Sequence, residues 1–144
     1  SLEQIPKSKF INAISKIFNK FLPEEIFIPH PGDAHSDHKV TFEAAAACTK
    51  WFRYPSIKKV LTYETLSETD ASLNREVIFE PNYYVDINET IKDKCELIKI
   101  YEGEISNFPF PRSIKAIKAL ASIRGSQSGF NAAEAFSLLK YFED

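Results

Sequence analysis

Ile26-Phe27-Ile28 is a short, unbroken apolar run that leads straight into Pro29-His30-Pro31-Gly32-Asp33-Ala34-His35-Ser36-Asp37-His38. Beyond it, Lys39 to Phe52 is rich in alanine and reads as a helix. A run this short and continuous is a buried strand rather than a half-exposed one. The segment is therefore strand, loop and helix, the unit from which α/β sheets are built. All three histidines of the chain lie in that one loop. Sheets of this class carry their chemistry in loops at the carboxyl ends of strands, so the loop is the candidate site.

The spacing suits a metal. His35 and His38 are three residues apart, which places both rings on one face of a first helical turn. A helix N-terminus disfavours imidazolium and keeps the rings neutral, able to bind a cation. Asp37 stands between them, placed to orient a ring. A bare H-x-x-H says little, but H-P-x-D-x-H-x-D-H after a strand says more. A tighter arrangement, with His30, Asp33 and His38 on one metal, requires a sharp curl and leaves no residue to act as base. It is the lesser alternative.

That string resembles the second histidine motif of the LmbE/PIG-L-type deacetylases, zinc-dependent enzymes that remove N-acetyl groups from amino-sugar conjugates. Later pieces resemble the family in the same order: Tyr63-Glu64-Thr65-Leu66-Ser67, Pro81-Asn82-Tyr83-Tyr84-Val85-Asp86-Ile87, Pro109-Phe110-Pro111-Arg112-Ser113, and Arg124-Gly125 leading to Ala133-Glu134-Ala135-Phe136. The resemblance implies a Rossmann-like three-layer α/β/α domain with a mostly parallel sheet, a single domain over residues 1–144. It implies His38 as a metal ligand, and His35 as the group that polarises the amide carbonyl, with Asp37 as its partner. The metal implied is zinc, or another divalent ion, and the substrate an N-acetylated sugar or glycoconjugate. Asp33 is a loop-organising residue or a contact to a substrate hydroxyl. Arg112 offers a guanidinium to an anionic part of the substrate, with a surface ion pair as its plainer role. The family's opening strand and A-H-P-D-D-E, which supply two ligands and the base, have no counterpart here. The resemblance thus covers about the rear two-thirds of the family's domain, without its first strands.

Charge and composition narrow the partners. A net charge of −2 gives no electrostatic case for nucleic acid or an anionic membrane. No apolar run approaches the roughly 20 residues of a membrane span. The amino end, Ser1-Leu2-Glu3-Gln4, lacks the shape of a signal peptide. Cys48 and Cys95 fall in expected helices without a C-x-x-C context, and read as buried free thiols, which fits a cytoplasmic protein.

Around the loop, helical spacing of Phe10, Ile11, Ile14, Ile17, Phe18 and Phe21 predicts a helix over Ser8 to Phe21, stopped by Pro23. The alanines at 44–47 predict close packing of the next helix, expected over Asp37 to Phe52 with Ser36 or Asp37 as its cap. Trp51, Phe52 and Tyr54 are expected in the core or a subunit interface. Strands are expected at Lys58 to Tyr63, Glu76 to Phe79 and Tyr83 to Ile87, and a polar loop over the site at Thr65 to Arg75. Asn88 is expected to cap a helix through Ile91, Cys95, Ile98 and Tyr101. Ser113 is expected to cap another, over Ile114 to Ile123, ended by Gly125. The propensities of Ala133 to Leu139 favour a helix, whereas the resemblance makes its first half a strand, and the resemblance is followed.

Two function classes follow. One is the zinc-dependent N-deacetylase. The other is a non-catalytic protein that keeps the fold and binds a carbohydrate or a partner. A chain that began at Ser1 would leave a sheet edge open, and a homo-oligomer would be expected of it.

Overall fold

The computed structural model describes residues 2–144, in which four β-strands and four α-helices form a mixed α/β fold. Two units divide these residues: one runs to Glu80 and resumes at Phe136–Asp144, and the other is Pro81–Ala135.

In the first unit, α1 (Lys7–Phe21) turns Ile14 and Phe18 onto a core of Ile26, Ile28, Ala45, Ile57 and Val60. Only part of its apolar stripe is used, since Ile17 and Phe21 remain exposed. Leu22 ends the helix in the left-handed region, and Pro23 bars the preceding residue from continuing it. β1 (Glu25–Pro29) sends Ile26 and Ile28 to the helices and Phe27 to the other face, where it meets Phe136 at 5.1 Å between ring centroids. The segment from β1 through α2 (Ser36–Ala47) to β2 (Lys59–Tyr63) returns the chain parallel to β1, with Ile26 opposite Val60 and Pro29 opposite Tyr63. Ala44 and Ala45 are almost wholly buried, so the small side chains let α2 lie close to β1.

β4 (Ala133–Tyr141) is a strand throughout, and from Phe136 onward it pairs antiparallel with β2. The hydrogen-bonded order is β1-β2-β4-β3, with β3 at Tyr83–Asp86, so the sheet mixes parallel and antiparallel pairs. Glu76 to Phe79, expected as a strand, has no regular structure.

α2 stops five residues short of its expected end. The Cys48 and Thr49 backbone amides bond to Ala45 and Ala46, and the Thr49 hydroxyl also donates to the Ala46 carbonyl, closing the last turn. Trp51 and Phe52 consequently lie in exposed turns, and Tyr54 alone reaches the core, donating to Ser15 Oγ at 2.8 Å.

In the second unit, α3 (Ile91–Ile98) and α4 (Ile114–Ser128) surround Ile87, Ala121 and Ala132, with Ile91 against them. Thr90, not Asn88, precedes α3. Ser113 caps α4 by accepting from the Ala116 amide. α4 runs past Gly125 to Gly129, whose φ of 81° ends it. A Cβ at Gly125 would lie 2.5 Å from the Phe130 carbonyl, so that glycine serves a close approach instead of a cap. Among the described residues, no helix is long and apolar enough to cross a membrane.

Candidate functional site

The histidine loop lies wholly in the first unit, between β1 and α2. It opens with a turn in which the Asp33 amide donates to the His30 carbonyl at 3.2 Å. His30 is buried, its Nε2 3.4 Å from the Val77 carbonyl and its ring edge-on to Phe79. Gly32 is dictated by the same contact: a Cβ there would stand 2.2 Å from the Val77 oxygen and 2.6 Å from His30 Nε2. The Val77 carbonyl faces this loop, and residues 76–79 form no ladder.

Asp33 has no solvent exposure, and both of its carboxylate oxygens are engaged. Oδ2 lies 2.7 Å from His38 Nδ1, and Oδ1 accepts from the Thr69 hydroxyl at 2.6 Å. An ionised carboxylate can only accept, so the His38 Nδ1 carries the proton and a neutral ring keeps its lone pair on Nε2. The His38 side chain is 26% exposed.

His35 has the opposite arrangement. It occupies the cap position of α2, and its Nδ1 accepts from the Asp37 backbone amide at 3.1 Å. With Nδ1 accepting, a neutral His35 carries its proton on Nε2. The two rings stack at 5.6 Å between centroids and 29° between planes. One imidazole thus offers an electron pair, and its neighbour offers an N–H.

The Asp37 carboxylate accepts from the Leu2 amide at 2.7 Å, and it is the residue's backbone that serves His35. Arg112 belongs to the other unit, where its Nε donates to the Glu104 carbonyl, its terminal nitrogen pairs with the Glu104 carboxylate at 3.1 Å, and its guanidinium lies over Phe110. Glu64 follows β2 directly, next to Tyr63. Burial, and after it the charge of Asp33, push the Tyr63 phenol above its ordinary range.

Thr69 carries no mark in the sequence. It lies 36 residues from Asp33 in a polar stretch expected only to cover the site. The part of Asp33 behind His38 was likewise hidden, since a spacing of five residues signals no pairing.

A catalytic zinc uses three protein ligands and leaves a position open. Among the described residues, no three His, Cys, Asp or Glu side chains gather to hold a metal. His30 faces the Val77 carbonyl, and Asp33 lies behind His38 on the Nδ1 side, so these two do not converge with His38 Nε2. The loop therefore fits one ligand position, and a whole metal site is not assembled from it.

Comparison with known proteins places the fold. No family model matches the sequence. The structure is similar to that of N,N'-diacetylchitobiose deacetylase from Pyrococcus horikoshii, with a TM-score of 0.69 at 21% identity, over 95% of this chain and 54% of that one. It is also similar to a conserved protein from Thermus thermophilus, with a TM-score of 0.71 at 19% identity, over 98% of this chain and 62% of the other. The chain has the α/β fold of these two proteins and spans 54% of the length of the first and 62% of the second.

Proposed function

We propose that the chain belongs to a metal-dependent N-deacetylase acting on an N-acetylated amino sugar or its conjugate, and that its histidine loop supplies part of the active site. The observation that carries this reading is the buried Asp33 fixing His38 by Nδ1, the arrangement by which proteins hold a metal-ligating histidine. The fold shared with a chitobiose deacetylase supports the class of reaction.

An acetamide resists hydrolysis because water is a poor nucleophile and the tetrahedral intermediate is charged. A bound zinc ion lowers the pKa of its water towards about 7. In this chain His38 Nε2 is the group for such an ion. His35 Nε2–H is the donor for the carbonyl oxygen as charge develops on it, held by the Asp37 amide. No residue here is assigned as the base. The cytoplasm, with its free thiols, is the compartment we assign.

A second reading has its own support, since no three-ligand group forms among the described residues. In it, the protein keeps the fold and binds a carbohydrate or partner without turnover.

Acetate release from N,N'-diacetylchitobiose with added zinc separates the two. The enzyme reading expects release by the unmodified protein, and a fall of about 10²–10³-fold in kcat for His35→Ala. Binding of the sugar with no acetate from the unmodified protein supports the second reading. Equal turnover in both forms removes His35 from the chemistry.

A further inference from the structure

We propose that Thr69 is a positioning residue for His38, acting through Asp33 to hold the imidazole as its Nδ1–H tautomer with Nε2 presented outward. This rests on the deacetylase reading only in taking His38 as the ligand.

The argument starts at the backbone. Residues 65–69 form one turn, in which the Glu68 and Thr69 amides both donate to the Thr65 carbonyl, at 3.0 and 2.9 Å. The Thr65 amide in turn donates to Thr69 Oγ1 at 2.8 Å. A hydroxyl has a single proton, and an N–H arriving at the oxygen leaves that proton free to be given elsewhere. It goes to Asp33 Oδ1 at 2.6 Å. The β-branched side chain of threonine has few rotamers to lose in holding that direction.

The same segment is fastened to the histidine loop at two more points. The Ala34 amide donates to the Glu68 carbonyl at 3.0 Å, and the Ser72 hydroxyl donates to the Gly32 carbonyl. Thr69 is therefore carried on a support tied to both sides of Asp33, and its position does not depend on the Asp33 bond alone.

The consequence lies in the carboxylate. Asp33 is fully buried, so water does not compete for Oδ1. With Thr69 on one oxygen and His38 on the other, the carboxylate plane has one satisfied orientation. Without the hydroxyl, Oδ1 is left without that donor in a buried place, and the group gains by turning to seek another. His38 then loses the acceptor that keeps the proton on Nδ1, and the ring divides between its two tautomers.

Nitrogen-15 NMR of the histidine rings in alkaline buffer, where imidazoles are neutral, reads this directly and requires no metal. The unmodified chain should show His38, assigned by its loss in His38→Ala, as the Nδ1–H form. Thr69→Val should move a several-fold larger share into the Nε2–H form, and Thr69→Ser should restore the original signature. Thr69→Ala reads the same effect if the valine variant fails to fold.

A folded Thr69→Val or Thr69→Ala chain with an unchanged His38 signature overturns the proposal, as does failure of the serine to restore it. Zinc titration in parallel should show about 10–100-fold weaker binding in Thr69→Val. A tautomer change with no zinc bound by any form upholds the role of Thr69 and removes the metal reading, so the two failures are distinct.

Discussion

Asp33 and Tyr63 show how much of the site is decided by single residues. Asp33 is a carboxylate shut away from water and held by a histidine and a threonine hydroxyl. Its charge reaches Tyr63, whose phenol is already disfavoured as an anion by burial. A raised phenol has a definite effect on stability. In the unfolded chain it ionises near pH 10, so beyond that the unfolded state holds fewer protons than the folded one. The contribution is constant at lower pH, and stability falls as pH rises from about 10 through the folded value. Urea midpoints measured at about pH 9 and about pH 11 should fall further for the unmodified protein than for Tyr63→Phe. Equal falls would mean that Tyr63 titrates alike in both states.

The elements show which physical signals are local. β1 was legible because a buried strand is a continuous apolar run, and α2 because its alanines mark a closely packed helix, although His35 caps it where Ser36 or Asp37 was expected. Ala133–Tyr141 has the residues of a helix yet forms a strand, since the ladder with β2 outweighs its propensity. Glu76 to Phe79 has strand-like residues and forms none, because Val77 turns its carbonyl toward His30 and Gly32. The actual end of α4 was hidden because Gly125 looks like a cap until the return of the chain at Phe130 is known.

The end of α1 offers a test of local reasoning. Leu22 has φ 48° and ψ 53°, a conformation that costs a non-glycine residue roughly 1–2 kcal/mol. Leu22 is 61% exposed, so little burial is lost by removing its side chain. Glycine returns roughly 0.5–1 kcal/mol of that gain as backbone entropy. Leu22→Gly should therefore stabilise by about 0.5–1 kcal/mol, seen as a higher urea midpoint with an unchanged slope. A lower midpoint would show that the leucine makes contacts worth more than its strain.

At the scale of the whole molecule, the α/β class and the histidine loop were both readable, while the assembly behind the loop was not. Local spacing marks His35 and His38, but the bonds that set their tautomers come from a buried aspartate, a backbone amide and a distant threonine. At 21% identity, the likeness to a chitobiose deacetylase carries the fold and nothing finer. On the proposed reading, the chain contributes one imidazole, His38, held by Asp33 through Nδ1. Zinc titration of the unmodified protein and of His38→Ala, followed by calorimetry and by the histidine ring signals, tests that contribution most directly. Added zinc should perturb His38 Nε2 in the unmodified protein, at the weak affinity of a single protein ligand, and should leave no such signal in His38→Ala. Zinc bound equally by both, or by neither, would contradict the account.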